Sequence, residues 1–262
     1  MSEPKTILEA QNLTIGYGKK TIQSGLDISL NEGEVVCLLG QNGVGKTTLL
    51  QTLAGLTEPI GGSIQIRDRQ FEDYSRLELA KTLGIVTTKK ITAAGLTVLE
   101  VLISGRYPHQ QWMSSPNDTD FESINRAVTL TKIKYILDSK LTELSDGQRQ
   151  KVMIARALVQ DGHIILLDEP TAHLDLNNRI EIIRLLKEIS SKGKKALLIS
   201  THEINLALQF ADKLWLMDFS KPMIQGTPDD LLNSGELNKI FHTDDFKYDF
   251  LTGKITFKDE TK

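Results

Sequence analysis

The chain carries at residues 40–48 the run Gly40-Gln41-Asn42-Gly43-Val44-Gly45-Lys46-Thr47-Thr48. Gly40 and Gly45 are separated by four residues, and Lys-Thr follows the second glycine, which is the pattern of a phosphate-binding loop. Residues 34–39 precede it as an apolar run of strand type, and residues 48–54 follow as a run of helical type. This order of strand, loop and helix is the context that the motif requires.

The residue types of this run match the chemistry of bound phosphate. Glycines let successive backbone N–H groups turn inward around phosphate oxygens, and the following helix adds the positive end of its dipole. Lys46 is placed to reach the β- and γ-phosphates, and the hydroxyl of Thr47 is placed to ligate Mg²⁺. The sequence therefore predicts a site for the phosphates of a nucleotide and for Mg²⁺.

Composition narrows the class of protein. The chain has 262 residues, of which 40% are hydrophobic, and a formal net charge of −3 with a pI near 6.0. This balance lacks the basic footprint of a nucleic-acid binder, so we expect no nucleic-acid partner. The N-terminus lacks the pattern of a signal peptide, and no apolar stretch approaches the length of a membrane span. The single cysteine, Cys37, lies in the apolar run before the loop and predicts a buried small hydrophobe.

The remaining pattern alternates strands and helices. Strand-like runs at 6–15 and 21–30 come first, with a break expected at 16–18, and others follow at 63–67, 84–87, 164–167, 195–200 and 213–217. Helical patterns cover 75–83, most of 95–160, and 178–190. A helix between two buried strands of this kind predicts parallel βαβ packing in an α/β fold. The tail from about residue 220 reads as a separate extension that ends in a hairpin, with strands near 247–250 and 255–257.

Two carboxylates follow the apolar run at 164–167, namely Asp168 and Glu169. A buried strand would deliver Asp168 at its C-terminal end, where α/β sheets place their ligands. We expect Asp168 to help to hold Mg²⁺ and Glu169 to act as the general base for the attacking water.

A third motif, Leu144-Ser145-Asp146-Gly147-Gln148, precedes a helical run of small and apolar residues. Ser145 and Gly147 would then lie at a helix N-terminus with backbone donors directed outward. Taken alone, the segment is also typical of an ordinary capped helix.

Together these motifs resemble the ATP-binding cassette (ABC) family, whose signature usually reads Leu-Ser-Gly-Gly-Gln. Tyr17 resembles the aromatic residue that stacks on adenine. The segment that ends at Asp175 resembles the D-loop, and the segment around His202 resembles the switch segment, which would place His202 on the γ-phosphate. The resemblance implies a catalytic role for Glu169, His202 and Lys46. It further implies ATP contacts by the residues Tyr17, Gly40, Gln41, Asn42, Gly43, Val44, Gly45, Lys46, Thr47, Thr48, Ser145, Asp146, Gly147, Gln148 and Asp175.

The resemblance also implies an architecture and partners. A P-loop NTPase core with a mixed sheet, an N-terminal antiparallel β subdomain and an inserted α-helical subdomain at about 90–160 would fill residues 1–219, with an extension at 220–262. Two copies would pair head to tail, with each signature closing over the ATP of the other copy. The homodimer would sit peripherally on the cytoplasmic face of the cell membrane against a separate permease, and would act indirectly with an external substrate-binding protein.

Two residues depart from the family pattern. Asp146 replaces the first glycine of the signature, where it either faces away or bonds to its own helix start. Thr88 stands where the family usually has Gln, and we expect its shorter side chain to approach Mg²⁺ or a water of its shell.

The segment Gly105-Arg106-Tyr107-Pro108-His109 is similar to one found in importers of iron chelates, haem and cobalamin. We therefore expect the ATPase subunit of such an importer. The alternatives are the ATPase of another ABC transporter class, a soluble ABC ATPase of iron–sulfur assembly, a nucleic-acid clamp and a nucleotide-binding regulator without turnover. The acidic balance and the lack of a coiled-coil insertion disfavour the clamp, and the presence of Glu169 and His202 disfavours the regulator.

Overall fold

The computed structural model describes residues 5–88, 95–110, 115–241, 246–249 and 254–257. Its strands are β1 (Thr6–Tyr17), β2 (Lys20–Asn31), β3 (Val35–Gly40), β4 (Gly61–Ile66), β5 (Arg69–Gln70), β6 (Leu83–Val86), β7 (Ile164–Asp168), β8 (Ala196–Ser200), β9 (Lys213–Met217), β10 (Ile224–Gly226), β11 (Phe246–Asp249) and β12 (Lys254–Phe257). Its α-helices are α1 (Lys46–Leu53), α2 (Arg76–Thr82), α3 (Val98–Ser104), α4 (Asp118–Thr131), α5 (Asp146–Val159), α6 (Leu176–Gly193), α7 (Ile204–Phe210), α8 (Pro228–Asn233) and α9 (Glu236–Phe241).

A six-stranded sheet in the order β10-β9-β3-β8-β7-β6 forms the centre of the fold. The pairs from β9 to β6 are parallel, and β10 pairs antiparallel with β9, so the sheet is mixed. Strands β3, β7 and β8 are buried along their whole length, as expected for parallel strands covered on both faces. The predicted α/β class and the parallel βαβ unit β7-α6-β8 are therefore confirmed.

A second, antiparallel sheet has the order β2-β1-β4-β5 and forms the N-terminal β layer. It shares one hydrophobic core with α1 and one face of the central sheet, including Leu38, Leu50 and Trp215. The other face of the central sheet packs against α3 to α9 in a second core. Cys37 is fully buried there, as predicted, and burial raises the pKa of its thiol.

The predicted break at 16–18 is wrong, since β1 continues to Tyr17 and pairs with β2 up to the turn. Gly16 permits this because a Cβ there would lie 2.1 Å from the carbonyl oxygen of Lys20. The turn itself uses Gly18 with a positive φ of 57°.

The tail adds a strand to the central sheet and apolar side chains to the second core, on the helix side of that sheet. Strand β10 extends the central sheet, and Leu231, Leu237 and Ile240 of α8 and α9 are buried in the helix-side core. Strands β11 and β12 pair antiparallel as the hairpin pattern predicts, and the predicted turn between them lies outside the described residues. The division of the chain at residues 219 and 220 stays a prediction. Within the described ranges, no helix is both long enough and apolar enough to cross a bilayer.

Candidate nucleotide site

The candidate site lies where the carboxyl ends of three adjacent strands meet. Strand β8 lies between β3 and β7, and the register places Ser200 beside Leu38 on one side and beside Asp168 on the other. The phosphate loop follows β3, Glu169 follows β7, and His202 follows β8. Parallel sheets place their ligands at this edge, so the topology brings together three motifs that are distant in sequence.

The phosphate loop is held in a conformation that only glycine adopts easily. Gly43 and Gly45 have φ values of 83° and 114°, in the left-handed region. A Cβ on Gly40 would lie 2.7 Å from the carbonyl oxygen of Met217. The loop therefore requires the glycines that the sequence motif supplies.

The side chain of Lys46 is buried beneath the loop, with 7% of the residue exposed. Its ammonium donates to the carbonyl oxygens of Gly40 at 2.8 Å and of Gln41 at 3.2 Å. Burial lowers the pKa of Lys46, while the nearby carboxylates of Glu169 and Asp168 oppose that shift. A buried cation with facing acceptors is poised to exchange loop carbonyls for phosphate oxygens.

The side chains of Thr47 and Asp168 meet at the base of the loop. The hydroxyl of Thr47 donates to the Asp168 carboxylate, 2.9 Å from Oδ2 and 3.1 Å from Oδ1. Ser200 also donates to Asp168 Oδ1 at 2.6 Å. Asp168 is only 3% exposed, so these hydroxyl groups stabilise a carboxylate removed from water.

These two oxygen donors fit Mg²⁺, which commonly uses one or two protein ligands and completes its shell with water and substrate phosphates. Within the part of the chain that the structure describes, no group of three or more His, Cys, Asp or Glu side chains forms a metal cluster.

Glu169 and His202 form a direct pair above Asp168. Oε2 of Glu169 lies 2.5 Å from Nδ1 of His202. The backbone N–H of Glu169 donates to both the carbonyl and the hydroxyl oxygen of Ser200, and Glu169 itself has a positive φ of 50°. Such a backbone conformation costs free energy in a residue with a side chain, so the surrounding hydrogen bonds fix where the Glu169 carboxylate points.

Tyr17 lies at the end of β1 beside the first turn of α1. Its ring is half exposed, and its hydroxyl lies 3.3 Å from both Thr48 Oγ1 and Gln51 Oε1. A flat, accessible ring next to the phosphate loop is suitably placed to contact a nucleobase.

The signature motif begins α5, as predicted. Ser145 caps the helix by accepting from the backbone N–H of Gln148, whose side chain accepts in return from the backbone of Ser145. Oδ1 of Asp146 lies 3.4 Å from Nη1 of Arg149 in the same helical turn. Asp146 thus contacts a side chain of the first turns of α5, and its orientation toward a nucleotide stays a prediction.

Thr88, Asp146 and Arg149 line a cavity of about 120 Å³ together with Asp168 and Glu169. Thr88 therefore lies on the same cavity as the two carboxylates, on the side of the helical region. A larger, open depression of about 690 Å³ lies between α4 and α6 and shares none of these residues. We assign the chemistry to the smaller cavity, because Asp168 and Glu169 line it and Asp168 in turn accepts from Thr47 of the phosphate loop.

Asp175 caps α6 rather than standing free. Its carboxylate accepts from the backbone N–H of Asn178 at 2.8 Å and from the side-chain amide of Asn178 at 2.7 Å. Hydrogen bonding to the Asn178 backbone and side chain lowers the pKa of Asp175.

The segment at 105–109 connects α4 to the C-terminal end of α5 through hydrogen bonds and an ion pair. The Arg106 guanidinium binds Asp120 at 2.7 Å and the carbonyl oxygen of Val159 at 2.8 Å, and it is buried. His109 Nε2 lies 2.8 Å from the carbonyl oxygen of Gln160, whereas Tyr107 is 65% exposed. Arg106 and His109 therefore pack internally, and Tyr107 is the accessible member of the segment.

The comparison with known proteins identifies the family. The model of the ABC transporter family matches residues 24–172, more than half of the chain. The chain belongs to the ABC transporter family. The ferric enterobactin transport ATP-binding protein of Escherichia coli (strain K12) is 33% identical to this ABC subunit over 92% of the chain and 89% of the relative.

Solved structures agree with this assignment. A chain of a metal-chelate type ABC transporter in an inward-facing conformation superposes with a TM-score of 0.80 at 30% identity, covering 91% of this ABC subunit and 89% of that chain. A dimeric ATP-binding cassette bound to ADP and Pi superposes with a TM-score of 0.72 at 25% identity, covering 85% and 99% respectively. The predicted family, fold class and ATPase activity are thus confirmed, and the related cassette bound to ADP and Pi is a dimer.

Sequence reasoning assigned no role to Ser200 or Glu203, although both lie in the switch segment of this ABC subunit. Ser200 contacts Asp168 and the backbone of Glu169, and Glu203 binds Arg179. The polar residues at the end of β8 could have indicated functional side chains there. Only the register of β7 beside β8 shows what Ser200 contacts.

Proposed function

We propose that this chain hydrolyses Mg²⁺-bound ATP as a head-to-tail homodimer and energises import of an iron chelate, haem or cobalamin through a separate permease. The observation that carries the ATPase part is the convergence of Lys46, Thr47, Asp168, Glu169 and His202 at one edge of the central sheet. The solute class rests on relatives such as the ferric enterobactin transport ATP-binding protein.

The phosphate loop binds the triphosphate. Lys46 transfers its hydrogen bonds from loop carbonyls to the β- and γ-phosphates, and inward N–H groups of the loop surround the phosphate oxygens. Tyr17 stacks on the base. Thr47 and Asp168 are the residues that would hold Mg²⁺, which neutralises phosphate charge when bound.

Glu169 then accepts the proton of the attacking water. Its carboxylate is held by His202, so His202 is positioned to exchange this contact for the γ-phosphate when ATP binds. The signature helix of the second copy completes the site with its N-terminal donors, from Ser145 to Gln148. Closure around two ATP molecules and reopening after hydrolysis would move the permease.

Thr88 takes the place where a longer side chain usually connects the nucleotide site to the helical region. It lies on the cavity that holds Asp168 and Glu169, and a Thr hydroxyl can bond to a water in the Mg²⁺ shell. The Thr88→Ala variant should therefore bind ATP normally but lose part of the stimulation of turnover by the permease. Unchanged stimulation in the lipid-embedded complex, with the loaded external binding protein, would refute this role.

The experiment that tests the proposed solute class uses source cells that lack this gene. Cells are complemented with the wild type or with the Glu169→Gln variant, and uptake of radiolabelled ferric siderophore, haem and cobalamin is measured. The proposal expects loss of one of these uptakes without the gene, rescue by the wild type and no rescue by the variant. Normal uptake of all three together with reduced activity of iron–sulfur enzymes would instead support the alternative role in iron–sulfur assembly.

A further inference from the structure

The residue after the switch histidine makes contacts that the ATPase mechanism does not use. Glu203 is largely buried, with 16% of its side chain exposed. Oε2 of Glu203 lies 2.6 Å from Nη1 of Arg179, and Oε1 accepts from the Thr171 hydroxyl at 2.9 Å. Both carboxylate oxygens are therefore engaged, one by the loop after β7 and one by the first turns of α6.

Arg179 extends this connection to the loop before α6. While Nη1 binds Glu203, Nη2 donates to the carbonyl oxygen of Leu174 at 3.2 Å. A planar guanidinium fixes the direction of both bonds at once. A displacement of Glu203 is thus transmitted to the backbone at Leu174, next to the N-cap of α6.

The N-terminus of α6 in turn contacts the signature motif. The side chain of Asn178 is held by Asp175 through its amide at 2.7 Å. It fills the space beside Gly147 so closely that a Cβ on Gly147 would lie 2.4 Å from Asn178 Oδ1. The position of α6 therefore controls the position of the signature glycine.

These contacts form one continuous series through the chain. It starts at the switch segment with His202 and Glu203, passes through Arg179 and the capped end of α6, and ends at Gly147. In the proposed dimer, His202 faces the ATP of its own copy, whereas Gly147 faces the ATP of the other copy. The series thus has one nucleotide at each end.

We propose that Glu203 is a positioning residue that, through Arg179 and the N-terminus of α6, couples the two ATP sites of the dimer. This inference rests on the proposed dimeric ATPase. Binding of ATP at one site moves the switch segment, and the Glu203–Arg179 ion pair shifts α6 and the signature toward the second ATP. The second site then hydrolyses ATP more readily than it would alone.

The test measures ATP hydrolysis by the complete transporter complex over a range of ATP concentrations. For two coupled sites the Hill coefficient of the wild type should approach ~2, the number of sites, and the Glu203→Gln variant should lower it toward ~1. ATP binding to the isolated subunit should change less than about twofold, because neither Glu203 nor Arg179 contacts the phosphate loop. A residue with a merely structural role would lower the unfolding temperature without changing the Hill coefficient.

The matched control is Glu188→Gln on α6, which removes an ion pair with Lys192 of similar length, 2.7 Å, outside the series. It should keep the Hill coefficient of the wild type. Arg179→Lys keeps the charge but cannot bind Glu203 and Leu174 together, and it replaces Glu203→Gln as the test if that variant does not fold. The variant with both Glu203→Gln and Arg179→Lys should be no less cooperative than Glu203→Gln alone, because both substitutions remove the same ion pair and their effects should not add.

The outcomes separate the two proposals. A wild-type complex without ATPase activity would refute the proposed function itself. A wild-type complex that hydrolyses ATP with a Hill coefficient near ~1, or variants at Glu203 and Arg179 as cooperative as the wild type, would leave the ATPase standing and overturn the coupling role. An equal loss of cooperativity in Glu188→Gln would also overturn it.

Discussion

Replacement of Glu169 by Gln removes the proposed general base with almost no change of shape. The backbone of Glu169 adopts a positive φ of 50°, and the free-energy cost of that conformation should be nearly the same for Gln as for Glu. The amide can still bond to His202, so we expect the loop after β7 to keep its structure. What disappears is the negative charge that accepts a proton.

The expected loss of turnover follows from the worth of a positioned base, roughly 10²–10⁴-fold. This range corresponds to about 2.7–5.5 kcal/mol of activation free energy. Binding of ATP should be retained or slightly tighter, because Lys46, Thr47 and Asp168 remain and one carboxylate no longer repels the phosphates. An ATP-bound dimer should therefore accumulate.

The assay compares steady-state ATP hydrolysis, nucleotide affinity and the molecular mass of the protein in solution, as monomer or dimer, with and without ATP. Glu122→Gln, at an exposed position on α4 remote from the loop, serves as the control for loss of one carboxylate and should match the wild type. Turnover of Glu169→Gln within a few-fold of the wild type would refute the assignment. Loss of ATP binding together with turnover would show instead that Glu169 maintains the structure of the loop.

Three further variants test other parts of the structure. Tyr17→Ala should weaken nucleotide binding by about 1–3 kcal/mol, on the scale of base–aromatic stacking, whereas Tyr17→Phe should be nearly silent; equal losses would point to the hydroxyl group or to folding. Gly147→Ala should destabilise the protein by about 1–3 kcal/mol through overpacking against Asn178, and thermal unfolding should show recovery when Asn178→Ala is added; a silent Gly147→Ala would contradict the packing. Hydrogen bonds from Arg69 and Ser75 lower the pKa of Glu78 from 4.5 to about 2, so its ionised form stabilises the fold above pH 4.5 and this contribution is lost as the pH falls through about 2. Urea unfolding of the wild type and Glu78→Gln should therefore show a stability difference that is constant above that window and vanishes below it, and a difference independent of pH would contradict the shift.

Local motifs predicted the main elements of the site because their chemistry is written in neighbouring residues. The phosphate loop needs Gly43 and Gly45 for its left-handed backbone, and Ser145 with Gln148 forms a capping box within one helical turn. Buried parallel strands leave an apolar run in the sequence, which is why β7 and β8 were predicted close to their observed bounds.

Long-range contacts were beyond sequence reasoning. Sequence patterns did not predict the contacts of the tail, in which β10 pairs with β9 and Ile240 is buried in the helix-side core. The three residues of β10 are too few to show a period. The predicted break at 16–18 was wrong because glycine marks both a turn and a place where two strands approach closely, and the sequence does not distinguish the two.

The sequence by itself determined the family and the ATPase activity, and it predicted the loop, carboxylate and signature residues, because each motif is a short, ordered set of residue types. Only the tertiary structure decided which motifs touch. Pairing of β8 with β3 and β7 brings Ser200 to Asp168 and Glu169 to His202. Packing of α6 on α5 likewise sets Asn178 against Gly147, and the position of α6 beside the segment after β8 sets Arg179 against Glu203. The residues of each pair are separated by about 24 to 33 positions along the chain. No local conformational preference specifies such contacts, because they form only when distant segments pack together in the fold.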